Sequence, residues 1–226
     1  MGKAAAGLLF SLLRTVEFLL GEKKYVPLLG LIAGYGLIVA TVWTEKALQR
    51  QLFWITAAFF FASTVIAFWN KPLRLPGLTQ TLAMIGIGLL VAGAVVLAGA
   101  QMGTLHGLFG ARSVLLHSSG YLIWAVIQQY LQQCFFFARI ERFTQSGILA
   151  GFIAATLFAL VHLPNPVLTP VTFIGGWILS DLYRRYRSVL PLGIVHGMVG
   201  LALAVSIPDH ALHHMRVGLG YLHYHG

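Results

Sequence analysis

Gln128-Gln129-Tyr130-Leu131-Gln132-Gln133 places four primary amides within six positions of an otherwise apolar run. His162 closes the next apolar run, and His196 lies inside the last one. Primary amides donate and accept hydrogen bonds without ionising, whereas an imidazole can also take a proton near neutral pH or ligate a metal. Such a set can join helices by hydrogen bonds, hold a neutral ligand, or move a proton through a histidine. Two imidazoles suit zinc, copper or iron, and one axial histidine suits a haem or chlorophyll-type tetrapyrrole, so His162 and His196 are candidate metal or cofactor ligands. Covalent c-type haem is excluded, because Cys134 is the only cysteine and no Cys-x-x-Cys-His occurs. A second group, His210, His213, His214, His223 and His225, lies in the C-terminal tail without the contiguity of an affinity tag. These five could bind metal, titrate near neutral pH, or rest with Tyr221 and Tyr224 among lipid headgroups.

The surroundings of these residues follow from composition. Of 226 residues, 58% are hydrophobic and only 9% are Asp, Glu, Lys or Arg, with a mean hydropathy of +0.82. A soluble domain carries about 25% charged residues, so a soluble enzyme, a disordered chain and a disulfide scaffold are all excluded. The remaining class is an all-α, polytopic transmembrane helix bundle. A spanning helix needs about 20 mostly apolar residues. Seven stretches qualify: Tyr25–Trp43, Leu52–Asn70, Thr81–Ala100, Ser118–Ala138, Ser146–His162, Pro166–Leu182 and Val189–Ile207. Ala4–Leu20 is shorter and holds Arg14 and Glu17, so it reads as an interfacial helix, with an eighth span as the alternative. Residues 1–226 form a single membrane domain: the interfacial or spanning helix 4–20, N-terminal helices 25–116, a core 117–206 and the histidine-containing tail 208–226.

The net charge of +9 is not gathered into a patch, so nucleic acid is not an expected partner; the lipid bilayer and other membrane proteins are. Loops at Lys23–Lys24, Lys71–Arg74, Arg139–Arg142 and Arg184–Arg187 carry nine basic residues, against four in the opposite loops and tail. That bias makes the first set cytoplasmic and the tail non-cytoplasmic. The expected location is the bacterial cytoplasmic (inner) membrane. On α-helical spacing, Gln128 faces with Gln132 and Gln129 with Gln133, giving a polar stripe toward the bundle interior.

The order of these blocks resembles the CAAX-protease and bacteriocin-processing family (CPBP, or Abi) of intramembrane endopeptidases over Tyr121–Leu203. That family carries Glu-Glu-x-x-x-Arg on one helix, Phe-x-x-x-His on the next, and His-x-x-x-Asn on a later one. Gln128-Gln129 to Gln133 stands in the first block, Phe158 to His162 in the second, and His196 to Gly200 in the third. The resemblance implies a glutamate that activates water with help from two histidines, an asparagine and an arginine. By position, those roles fall on Gln128 as the base, Gln129 as its neighbour, Gln133 for the arginine, His162, His196, and Gly200 for the asparagine. An amide cannot accept a proton from water near neutral pH, and a positioned general base is worth about 10²–10⁴ in rate. Losing a donor to the developing oxyanion costs about 10²–10³ more. The expectation is therefore a catalytically degenerate relative that serves as a binding, scaffold or assembly subunit of a membrane complex. The alternatives are a peptidase with altered chemistry, using His162 or His196 as base, and a cofactor-binding membrane subunit.

Overall fold

The computed structural model describes residues 26–70, 77–107 and 114–223, and among them every regular element is helical. In chain order these are α1 (Val26–Val42), α2 (Lys46–Asn70), α3 (Leu78–Gln101) and α4 (Val114–Tyr130). A π-helical segment (Leu131–Phe137) leads into α5 (Ala138–Thr144), followed by α6 (Gly147–Leu160), α7 (Leu168–Tyr186) and α8 (Leu190–Ser206). The tail forms α9 (Asp209–Leu212), a 3₁₀ turn (His213–Met215) and α10 (Gly218–Leu222). Each of the seven expected apolar stretches contains or overlaps a helix. The candidate helix Ala4–Leu20 and the loops Lys23–Lys24 and Lys71–Arg74 lie outside the described residues.

Only α3 among the described helices is long and apolar enough to cross a membrane by length and composition; α1, α6 and α8 are apolar but shorter. At about 1.5 Å per residue, 17 residues reach about 26 Å, just short of a hydrocarbon core of about 30 Å. The stretch expected at Ser118–Ala138 behaves differently. Tyr130 and Ala138 both hold right-handed helical dihedrals, so α4, the π segment and α5 run as one continuous helix over 114–144.

α8 lies between α3 and α4, which it packs against extensively, and α6 pairs with α7. Small residues make this closeness possible. A Cβ at Gly193 or Gly197 would overlap Val126 or Leu122 of α4, and one at Gly88 or Gly99 of α3 would overlap Val195 or Ser206. Close backbone approach of this kind lets the helix surfaces meet in extended van der Waals contact. The core is aromatic: Phe135, Phe136 and Phe137 are buried, with Phe60 edge-on to Phe135 at 4.8 Å between centroids. Phe61, next in sequence, is 71% exposed. Charges collect at one end. Arg187 closes α7 in a left-handed cap and forms a bidentate ion pair with Glu141 of α5, both N···O distances being 2.6 Å. That carboxylate pushes the Arg187 pKa further above its ordinary value.

At the other end of α6 and α7, Asn165 ties the tail to the bundle. Its side-chain amide donates to the carbonyls of Leu212 (2.8 Å) and Arg216 (3.1 Å), while its Oδ1 accepts from the backbone N–H groups of Val167 and Leu168. Gly218 N–H donates to Leu163 O at 2.7 Å. His213, His214 and Met215 all sit in the left-handed region, at φ 51°, 48° and 59°. Three consecutive non-glycine residues there are strained and persist only where neighbours hold them. Asn165 is fully buried and does that holding. Asn165→Ala should cost about 2–4 kcal/mol, because it orphans buried backbone groups at about 1–3 kcal/mol each. Limited proteolysis in mild detergent checks this: cleavage within 208–223 should accelerate, and unchanged protection would refute the clamp.

Candidate functional site

The π segment begins immediately after Tyr130 and reorganises the glutamine stripe. Within it Ala138 N–H bonds Gln133 O, five residues back, so each turn is wider than an α turn and residues change face. Gln129, Gln132 and Gln133 are buried to 2% exposure or less and meet one another. Gln128 is half-buried and makes no hydrogen bond among the described residues. The Gln128–Gln132 pairing drawn from regular α spacing is thus replaced by Gln129–Gln132. The Gln129–Gln133 pairing stands.

The direction of every bond in this group follows from one backbone carbonyl. Gln132 Nε2 reaches Gly176 O on α7 at 3.0 Å and Ser180 Oγ at 3.4 Å. A carbonyl can only accept, so the nitrogen of Gln132 faces α7 and its oxygen faces Gln129. Gln129 must then present its nitrogen, which it does at 3.0 Å from Gln132 Oε1 and 2.9 Å from His196 Nδ1. Its remaining oxygen accepts from Gln133 Nε2 at 3.2 Å. The amide of Gln129 is fully used: two bonds donated, one accepted. Gln133 Oε1 is buried with no hydrogen-bond partner among the described residues. Gly176 must lack a side chain here, since a Cβ would lie 2.8 Å from Gln132 Nε2.

This polarity assigns the histidines. His196 Nδ1 accepts from Gln129, so the ring is neutral and carries its proton on Nε2. His162 Nδ1 lies 2.7 Å from Phe158 O, one turn back, so it donates there and its Nε2 keeps a lone pair. Both rings pack edge-on against Phe158, with centroids at 4.8 Å for His162 and 5.8 Å for His196. Phe158 thus separates one imidazole that donates from Nε2 and one that accepts there. For metal or tetrapyrrole ligation the consequence is unequal. His162 Nε2 has a free lone pair, whereas the only lone pair of His196 is committed to Gln129. Two-histidine ligation does not fit this arrangement.

Gly200, at the asparagine position, is covered by Tyr121 of α4. A Cβ there would overlap the Tyr121 hydroxyl and ring. Tyr121 and Ser180 therefore border this region without having been singled out by motif. Tyr121 shares a face with Gln128 at i+7, the one signal that could have pointed to it.

Four of the tail histidines, His210, His213, His214 and His223, are described. Asp209 Oδ1 lies 3.0 Å from His214 Nδ1 and 3.8 Å from His106 Nε2 in the segment that follows α3. His213 stacks on Tyr221 at 4.3 Å, while His210 and His223 are exposed. His225 lies outside the described residues. Among the described residues, no group of three or more His, Cys, Asp or Glu side chains could hold a metal ion. The acids among the described residues are engaged elsewhere: Glu141 pairs with Arg187, Asp181 with Arg184 and Arg185, Asp209 with His214, and Glu45 is exposed before α2.

Residues 110–202 match the family model described as "Type II CAAX prenyl endopeptidase Rce1-like". The match is less than half of the 226 residues, but it holds every glutamine and histidine of the network together with Gly200. No curated protein and no solved structure matches significantly.

Two substitutions probe the geometry. Gln129→Glu removes the hydrogens given to Gln132 and His196 and should destabilise by about 2–4 kcal/mol, at about 1–3 kcal/mol per orphaned buried group. Thermal melts in detergent measure the loss. ¹⁵N shifts should show neutral His196 with Nε2–H in the wild type and imidazolium in the variant; an unchanged melt and spectrum would contradict the assigned polarity. Gly200→Asn should lower stability by about 1–3 kcal/mol through overpacking against Tyr121. Tyr121→Ala in the same chain should relieve much of that loss.

Proposed function

Taking residues 110–202 as an Rce1-like domain, we propose that this protein is a polytopic membrane protein that uses the domain to bind, and not to hydrolyse. In this reading residues 1–226 form one membrane domain with about seven spans, in the bacterial cytoplasmic membrane, with the tail on the non-cytoplasmic side. The domain serves as a scaffold or assembly subunit and holds a segment of another membrane protein.

The observation that carries this reading is the donor and acceptor bookkeeping at Gln129. Its amide is satisfied three times over by neutral partners. A carboxylate in its place would face Gln132 Oε1 with no hydrogen to offer it, and would meet His196 favourably only once that ring carried a proton on Nδ1. The amides thus support a neutral binding site better than a hydrolytic one. Neutrality also avoids the several kcal/mol that an ionised side chain costs at membrane depth, about 2.5–3.5 kcal/mol for Asp, Lys or Arg on insertion scales. The described acids are paired or exposed elsewhere, so none stands in as a base.

One observation favours a second reading, a peptidase with altered chemistry. His162 Nε2 holds a free lone pair and could accept a proton from water. The two readings part on turnover. Purified protein incubated with prenylated CAAX-type peptides and with unmodified peptides should show no cleavage above the His162→Ala variant. Cleavage by the wild type that His162→Ala abolishes would establish the peptidase. For the binding reading, a photo-crosslinking residue at position 128 should give a discrete adduct with another membrane protein in native membranes. The same probe at lipid-facing Ile87 should not.

A further inference from the structure

A groove of about 510 Å³ opens between α6 and α7 at the end where the charges collect. Its floor is apolar and uncovered: Ile148, Trp177 and Ile178 are 66%, 45% and 57% exposed. Its mouth is formed by Asp181, Arg184 and Arg185. The three charges are arranged in a definite way. Asp181 Oδ1 takes Arg184 Nε and Nη2 at 3.0 and 2.6 Å, and Oδ2 takes Arg185 Nε at 2.7 Å. One carboxylate therefore aligns two guanidinium groups by their edges. Arg184 Nη1 and both Nη groups of Arg185 make no hydrogen bond among the described residues, which leaves several donors and one uncompensated positive charge at the mouth. Glu141 does not offset that charge, being paired with Arg187, and Arg142 of α5 is not among the residues that line the groove.

We infer that this groove binds an anionic phospholipid, with an acyl chain along Ile148, Trp177 and Ile178 and the headgroup phosphate on the free Nη groups of Arg184 and Arg185. Charge complementarity selects the headgroup. A planar guanidinium matches phosphate oxygens in a bidentate fork, and the net charge of the mouth favours an anionic over a zwitterionic lipid. The apolar floor beside the arginines selects a tailed ligand over free phosphate. The inference rests on the membrane reading above but is independent of whether the domain hydrolyses anything.

The test uses the full chain in mild detergent, titrated with phosphatidylglycerol, with phosphatidylcholine of the same acyl chains, and with glycerol phosphate. Bound lipid is counted by native mass spectrometry, and stabilisation is read as a thermal shift. Phosphatidylglycerol should bind about fivefold or more tighter than phosphatidylcholine, as expected when about 1 kcal/mol comes from each basic residue near anionic lipid. Glycerol phosphate should bind far more weakly than either. The uncharged variant Asp181→Asn/Arg184→Gln/Arg185→Gln should erase the preference, and Arg142→Gln should keep it. If the triple variant does not fold, Arg185→Gln alone, which leaves Asp181 balanced by Arg184, should remove most of the preference. Ile178→Gln should weaken both lipids while leaving the preference intact. Equal binding of the two lipids, or equal losses in the Arg142 and the Arg184/Arg185 variants, would overturn the site. Absence of binding and stabilisation by any lipid would overturn the site and count against the membrane reading as well.

Discussion

The carbonyl oxygen of Gly176 sets the polarity of the buried network. Because it can only accept, Gln132 turns its nitrogen toward α7, Gln129 turns its nitrogen toward both Gln132 and His196, and Gln133 donates into Gln129. Four side chains from two helices thus share one internally consistent direction, transmitted from a backbone group whose own helix is held by packing. In a medium that offers no competing water, each unmade bond would cost the full desolvation of the group left over, about 1–3 kcal/mol. A single ionised member would break the sequence of donors and acceptors, and that accounts for the absence of carboxylates more directly than low charge does.

The same restriction on charge explains where the ions went. The ionic contacts around Glu141 and Asp181 gather where α5, the start of α6 and the end of α7 meet. There the guanidinium groups can stay solvated while their stems cover apolar surface. Polar groups at depth are amides, hydroxyls and neutral imidazoles, which hydrogen bonds can satisfy fully. The protein therefore separates its two kinds of polarity by position: charge at the end, neutral donors and acceptors within.

Holding the site also depends on residues that touch none of its reactive atoms. The glycines of α8 bring that helix close enough to α4 for His196 to reach Gln129, and Asn165 closes the loop after His162 by binding the tail and the start of α7 at once. The left-handed run His213–Met215 is the conformational cost of that closure. It places the tail against the end of the bundle, and its histidines are spent on Asp209, Tyr221 and the surface.

The helices were legible before any coordinates. Apolar runs of about 20 residues with basic punctuation have few ways to satisfy their backbone in lipid, and an α-helix is the simplest. Gln128 to Gln133, His162 and His196 were legible as a group for the same reason, since polar residues inside such runs are rare. What the residues could not reveal was phase and direction. The π segment after Tyr130 shifts the stripe so that Gln129, and not Gln128, is its hub, and a π turn arises from packing around Phe135–Phe137 that no spacing rule encodes. Asn165 carried no signal of its role, because its partners lie 47 and 51 residues away. The sequence by itself determined that this protein is helical, apolar and without acids at its polar centre, because those properties are sums over residue types. Only the tertiary structure decided which amide donates to which acceptor and which imidazole nitrogen keeps its lone pair, because a hydrogen bond depends on orientation between helices.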